Sequence, residues 1–358
     1  MIRAPDAFVA PPERIRAAFA GMETDELVFV AQQCLEAGAW DHALALCDAF
    51  ANESDSPALT LCRAVATFVG GDAAAAFALV DAVLARKPEH LPALAVRAEM
   101  LLRANRRSEA KDTLLCILER YPDYPRASGL FATVLMPGPH YREVLARVHE
   151  RLRPRVYLEI GVDTGATLAL ARFAEVAIGI DPASYPIRHR LPAGTRLFHE
   201  ESDAFFATHS RTEVLGELRV ELAFIDGMHR FENALSDFAN VERWCHPDGT
   251  IVLHDCVPAF RRAAARERST KFWVGDTWKL VPALRAYRPD LEITTVLAPP
   301  SGLVFVRRLD PGSTLLRERM TEILERFLPL AYDREPGDFA PELNAVSNDD
   351  AGLARALA

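Results

Sequence analysis

From residue 24 to residue 125, apolar positions recur at the three-to-four spacing of helices, one helix after another, rich in Ala and Leu and parted by short breaks. The pattern has a period. Pro88 and Pro122 lie 34 residues apart, as do Ala64 and Ala98, Ala76 and Ala110, and Val80 and Leu114. Two alanines fall 12 apart in each unit: Ala31 and Ala43, Ala64 and Ala76, Ala98 and Ala110. Small residues there let two antiparallel helices approach closely, and the proline closes the second helix because it cannot continue the hydrogen-bond ladder. In the first unit Ser56-Pro57 falls late for that role. MPGPH (136–140) is a break, and YREVLARVHERL (141–152) is an amphipathic helix. Beyond it, short apolar runs at 156–162, 176–181, 195–199, 221–227 and 250–255 alternate with helical stretches such as 230–244. Strands separated by helices predict a parallel sheet with right-handed crossovers. LEITTVLAPPSGLVFVRRL (291–309) reads instead as two strands joined by a Pro-Pro-Ser-Gly turn, an antiparallel hairpin. Residues 311–330 read as an amphipathic helix, an oligomer contact or a cover for the fold. Residues 332–350 read as a loop or lid, and AGLARALA (351–358) as a short helix.

The 34-residue helix–turn–helix period resembles that of tetratricopeptide repeats, over about three units; the alternative is a plain helical bundle. Such an array serves as a concave surface for a partner, a dimer contact or packing support. The division expected is an N-terminal segment (1–23), the repeats (24–135), the strand–helix domain (136–310) and a C-terminal helix and tail (311–358). A chain of 358 residues with 50% hydrophobic content can bury more than one core. Its net charge of −9 argues against nucleic acid or an anionic membrane as partner. RRAAARERSTK (261–271) is a local basic patch, read as a solvated helix face. The cysteines at 34, 47, 62, 116, 245 and 256 show neither C-x-x-C nor zinc-site spacing, so they read as buried thiols in a reducing compartment. The first residues carry no apolar stretch of a secretory leader, and no run approaches a membrane span. A soluble, cytoplasmic protein is expected.

In YLEIGVDTGATLALA (157–171) a strand runs into a tight glycine turn and then an apolar helical pattern, the arrangement found at the cofactor end of open α/β sheets. A dinucleotide fingerprint would need glycine at 163, where Asp163 stands, and no triphosphate-binding G-x-x-x-x-G-K-[ST] occurs. What stands there is Glu159, Gly161 and Gly165 in the form E-x-G-x-x-x-G. It resembles motif I of class I S-adenosylmethionine-dependent methyltransferases. The fold class expected is therefore α/β: a Rossmann-like class I methyltransferase sheet with a terminal antiparallel hairpin, preceded by an all-α helical-repeat domain. The resemblance implies S-adenosylmethionine as cofactor. Carboxylates at Glu159 and Asp163 would favour its ammonium and sulfonium and repel a phosphate. Asp181, ending the second strand, would accept from the ribose hydroxyls, and Ser202 or Asp203 from the adenine amino group.

The fourth and fifth apolar runs end in FIDGMH (224–229) and VLHDC (252–256), which converge in a doubly wound sheet. FIDG-x-H and GTIVLHD, with the later GDTWKLVPALR and PPSGLVFV, resemble a subfamily of bacterial natural-product and sugar O-methyltransferases over roughly residues 140–310. That resemblance implies a divalent metal held by Asp226 and Asp255. The third ligand would come from the neighbourhood of His254 and Cys256, a set that suits Mn²⁺, Fe²⁺ or Zn²⁺ better than Mg²⁺. It also makes His229 the base that takes the proton of the attacking hydroxyl, with Asp226 beside it. Trp273 and Trp278 are core residues or line the acceptor pocket; no role is assigned to Asp276 and Lys279. The function expected is O-methylation of a small-molecule hydroxyl by a homo-oligomer, the repeats serving self-association or a protein partner. The alternatives are a protein or peptide methyltransferase that grips its substrate with the repeats, and a non-catalytic adaptor with a vestigial methyltransferase fold.

Overall fold

A computed structural model of the chain describes residues 11–183 and 186–358. The first ten residues, on which the reading of the N-terminus rests, lie outside the described residues. The chain divides into two units, Met1–Val134 and Leu135–Ala358.

In the first unit the spaced alanines decide the packing. Helices α1 (Pro12–Ala18), α2 (Thr24–Glu36), α3 (Trp40–Phe50), α4 (Pro57–Val69), α5 (Ala73–Arg86), α6 (Leu91–Arg103), α7 (Arg107–Arg120) and α8 (Pro125–Leu135) follow one another. Packed pairs form between α2 and α3, α4 and α5, and α6 and α7. Ala31, Ala43, Ala64, Ala76, Ala98 and Ala110 are all fully buried, so each pair closes on side chains no larger than a methyl. The turn within each pair carries one left-handed residue, Gly38, Gly71 and Asn105 in register. Ion pairs keep the same period: Arg63–Asp48 and Arg97–Asp81 recur, as do Arg86–Asp55 and Arg120–Glu89. Pro88 and Pro122 follow α5 and α7 as the period requires. Pro57 does not close a helix. It opens α4 at the first turn, where its missing N–H costs nothing, and Ser56 caps that helix by accepting from Leu59 N.

The second unit begins with the end of α8 and α9 (Tyr141–Leu152) and is built on eight strands. These are β1 (Val156–Ile160), β2 (Val176–Ile180), β3 (Thr195–Phe198), β4 (Val220–Ile225), β5 (Cys245–His254), β6 (Glu292–Val296), β7 (Leu303–Arg307) and β8 (Ala345–Val346). The order is β3-β2-β1-β4-β5-β7-β6-β8. The first five strands are mutually parallel, and β7 runs antiparallel to both β5 and β6. This is a Rossmann-like methyltransferase sheet with its antiparallel hairpin. Helices α10 (Ser202–Thr208), α11 (Arg211–Leu215), α12 (Phe231–Trp244), α13 (Leu280–Tyr287), α14 (Leu315–Glu318), α15 (Met320–Phe327) and α16 (Asp350–Leu357) complete it. Two apolar clusters, one on each face, bury the sheet. Among the described residues no helix is long and apolar enough to cross a membrane.

Several local expectations give way. The stretch after β1 forms only a single 3₁₀ turn, Leu168–Leu170, because Thr167 spends its hydroxyl on Glu159 and Leu168 dives into the core. RRAAARERSTK is a run of turns rather than a helix, with Ala263 and Ala264 buried beneath its arginines. Residues 311–330 break at Arg319 into α14 and α15, and Leu316, Ile323 and Phe327 bury themselves against the sheet, so this segment covers the fold. Residues 332–350 are loop for most of their length, the first of the two readings, but they also supply β8, paired parallel to β6, and they line no part of the cleft described below. Five of the six cysteines are buried, but Cys116 is exposed on α7.

Candidate active site and metal centre

The carboxyl ends of β1, β2 and β4 meet so closely that a side chain will not fit at the turn. Gly161 adopts φ +87°, and a Cβ there would lie 2.0 Å from the carbonyl oxygen of Asp226. Asp181, following β2, holds that turn. One of its oxygens accepts from the backbone N–H of Val162 (2.8 Å) and Asp163 (2.9 Å), the other from Ala183 (2.8 Å). Asp163 itself sits in the left-handed region at φ +46°, a conformation that costs energy outside glycine.

These ends open into one cleft of about 620 Å³, within the range of small-molecule sites. Gly161, Asp163, Asp181, Ser202, Asp203, Asp226, His229, His254 and Asp255 all line it. Glu159 and Gly165 do not. Glu159 is fully buried, its carboxyl receiving Tyr157 Oη (2.6 Å) and Thr167 Oγ1 (2.7 Å). Burial pushes its pKa up to about 8 against the pull of those two hydroxyls. Both of its oxygens are occupied by these hydroxyls and neither lines the cleft, so Glu159 ties β1 to Thr167 beyond the glycine turn. Gly165 takes φ +83° and makes room for Ile187 and Leu191.

At the far end of the cleft three side chains converge. Ligand atoms of Asp226, His229 and Asp255 lie within 4.8 Å of one another. His229 Nε2 stands 3.0 Å from Asp255 Oδ2 and 3.7 Å from Asp226 Oδ1. Its Nδ1 lies 2.9 Å from the carbonyl oxygen of Trp273, which can only accept, so Nδ1 carries the proton. Burial pulls the His229 pKa down, but Asp255 and Asp226 more than offset it and push it up to about 11. Nε2, the nitrogen a base would use, faces the two carboxylates.

His254, expected as the third metal ligand, lies behind the carboxylates. Its Nδ1 is 3.0 Å from Asp226 Oδ1, and its Nε2 is 3.2 Å from Ser301 Oγ, which donates to Asp255 Oδ1 at 2.5 Å. With its one proton on Asp255, Ser301 accepts from Nε2–H, and Nδ1–H donates to Asp226. The ring is therefore a buried cation. Desolvation disfavours that charge, and the facing carboxylates of Asp226 and Asp255 overcome it and raise the pKa. Burial likewise acts against ionised Asp226, yet His254 and His229 hold its pKa below the usual carboxylate range. Tyr141 packs on His254 with ring centroids 4.2 Å apart. Cys256 is turned away, its Sγ donating to the backbone oxygen of His254. Asp255 adopts φ +58°, a second strained backbone position lining the cleft.

Residues 158–256 match the family model described as a methyltransferase domain, and residues 70–133 match that of the tetratricopeptide repeat. The chain carries a methyltransferase domain behind tetratricopeptide-like repeats. Three solved structures show a distant likeness. A cofactor-bound protein, Rv0187 from MTB, is 14% identical with TM-score 0.39, over 55% of this chain and 95% of that one. The O-methyltransferase TomG from Streptomyces achromogenes, in complex with SAM, is 13% identical with TM-score 0.37, over 46% of this chain and 77% of its own. An O-methyltransferase from Bacillus cereus, in complex with SAH, is 13% identical with TM-score 0.34, over 49% and 85%. No curated protein matches the chain.

Within the methyltransferase domain, the sequence left Ser301, Met228 and Asn233 unmarked. Met228 and Asn233 line the cleft, and Ser301 arrives from the hairpin turn, 46 residues beyond Asp255 in the chain. Only the Pro-Pro-Ser-Gly turn signalled it, and a turn does not say where its serine points. Trp273 and Trp278 do not line the cleft. Trp273 stacks on His229, and Trp278 packs edge-on against Tyr332.

Proposed function

We propose that the cleft binds S-adenosylmethionine and that the chain transfers its methyl group to a hydroxyl of a small molecule. In this reading Asp226, His229 and Asp255 hold a divalent ion at the acceptor end. The observation that carries the reading is the meeting of these three side chains at the ends of β4 and β5, in the same cleft as the glycine turn after β1. Bound S-adenosylmethionine supplies a methyl group made electrophilic by its sulfonium. Gly161 keeps side-chain bulk out of the turn, and Asp181 fixes the backbone of Val162 and Asp163. Three of the roughly four acceptor directions of Asp181 are taken by backbone, which leaves one for a ribose hydroxyl. Asp163, Ser202 and Asp203 offer further polar groups along the wall.

The donor set fits a metal. His229 donates Nδ1–H to a backbone carbonyl and so turns Nε2 toward the carboxylates, the arrangement of metal-ligating histidines. Two carboxylates with one imidazole suit Mn²⁺, Fe²⁺ or Zn²⁺ better than Mg²⁺. A divalent ion there supplies a Lewis acid that eases loss of the acceptor's proton. Ser301 and His254 brace Asp255 and Asp226 from behind. The repeats offer a surface for a protein partner or for self-association.

The test is transfer of labelled methyl groups to phenolic and sugar hydroxyls. Asp226→Ala and Asp255→Ala should each lose about 100-fold or more in turnover, the scale of removing a group that stabilises the transition state, while still binding S-adenosylmethionine. Wild-type turnover in both variants would remove the cluster from the chemistry.

A further inference from the structure

GDTWK (275–279) packs against the far side of His229, and its buried charges have no part in the cleft. Asp276 is 1% exposed and Lys279 3% exposed. Burying an acid and a base in this way is costly unless they are paired and hydrogen-bonded, and here the bonds of Asp276 converge on one short loop. Asp276 N–H donates to the carbonyl oxygen of His229 at 3.2 Å. Asp276 Oδ1 accepts from Phe231 N–H at 2.8 Å, where α12 begins. Its Oδ2 takes Lys279 Nζ (3.0 Å) and Arg266 Nη1 (3.2 Å), and Lys279 is tied in turn to the carbonyl of Leu328 (2.8 Å). On the same turn the Trp273 carbonyl receives His229 Nδ1–H, and the Trp273 ring stacks on the imidazole at 5.3 Å and 27°. Between these two contacts lies Gly275, at φ +62°, where a Cβ would stand 1.7 Å from the His229 carbonyl oxygen. The loop from 229 to 231 is thus gripped at one ring nitrogen, one carbonyl and one N–H, all by residues 273–276.

We propose that the turn Trp273–Asp276 is a positioning element for the His229 imidazole, in which Trp273 sets the ring, Gly275 permits the close approach and Asp276 fixes the loop backbone. None of the three touches the cleft, so they act through His229. The purpose of the clamp rests on the metal-site reading above; its existence does not.

The first test uses metal-free, full-length protein. Diethyl pyrocarbonate modifies accessible imidazole nitrogens, and peptide mass spectrometry reads the rate at His229 separately from exposed His189 and His246. Gly275→Ala should raise the His229 rate at least tenfold and leave the other two unchanged. Should Gly275→Ala fail to fold, Trp273→Leu keeps the backbone carbonyl and removes only the ring, and it should raise the rate several-fold, with Trp273→Phe restoring it. Unchanged His229 rates in the folded variants would overturn the clamp. The second arm is Mn²⁺ titration followed by electron paramagnetic resonance. If the wild type binds Mn²⁺, Trp273→Leu should bind it at least tenfold more weakly and Trp273→Phe nearly as well; equal affinity in all three would also overturn the proposal. If the wild type binds no Mn²⁺, the modification rates alone decide the clamp.

Discussion

His149 shows at the scale of one residue how burial sets pH dependence. It lies on α9, 1% exposed, with its ring edge-on to Tyr157 and neither nitrogen hydrogen-bonded. Burial, with some help from Arg172, lowers its pKa to about 4. An unfolded chain protonates the same imidazole near ~6.5. Between those values the unfolded state binds the extra proton and the folded state does not, so stability is intact above the window and falls as the pH drops through it. His149→Phe keeps the ring contact and removes the titration. Its urea midpoint, followed by tryptophan fluorescence, should change less between neutral pH and about pH 5 than that of the wild type. Equal acid losses in the two proteins would place the sensitivity elsewhere. The place of Glu159 in E-x-G-x-x-x-G marked it as a cofactor ligand, whereas its register in β1 points it into the core. Strand alternation alone says only that Glu159 and Gly161 share a face, not that a tyrosine two residues earlier will claim the carboxyl.

At the scale of elements, the hairpin depends on one buried ion pair. Arg288, just after α13, donates to Glu242 of α12 at 2.7 Å, and both are 2% exposed. Glu242 also accepts from Asp310 N–H, beyond β7. Removing one partner leaves the other charged and dry. Arg288→Leu should therefore cost ~3–5 kcal/mol of stability, and Arg288→Leu with Glu242→Leu should recover a large part of it. Chemical denaturation of both variants measures this; a single variant as stable as the wild type would show that solvent reaches Glu242. The sheet's main strands were legible because they are buried on both faces and read as apolar runs broken by no more than one polar residue, Glu159 in β1 and Glu221 in β4. The repeats were legible because a close helix pair demands alanine at fixed spacing. β8 was not, since two residues held by pairing to β6 leave no pattern. The alanine-rich stretch 261–271 misled for the opposite reason: it has helical propensity, but Ala263 and Ala264 are drawn into the core and Trp273 Nε1–H takes the Ala265 carbonyl at 2.6 Å. Of the candidate site, the residues at strand ends could be placed from the sequence. Ser301 and the grip of Trp273 on His229 could not, because both depend on how distant loops fold back.

At the scale of the molecule, each unit has apolar clusters of its own: one set among the paired helices of the repeats, another on the two faces of the sheet. In the second unit, the glycine turn and cleft are proposed to form an S-adenosylmethionine site. Calorimetric titration of the full chain with S-adenosylmethionine, with NAD as the control ligand and Gly161→Ala as the control variant, tests it most directly. The expected result is one-to-one binding of S-adenosylmethionine, no binding of NAD, and loss of binding in Gly161→Ala, whose added methyl would collide with the Asp226 carbonyl. Absence of S-adenosylmethionine binding to the wild type, with and without Mn²⁺, would contradict it.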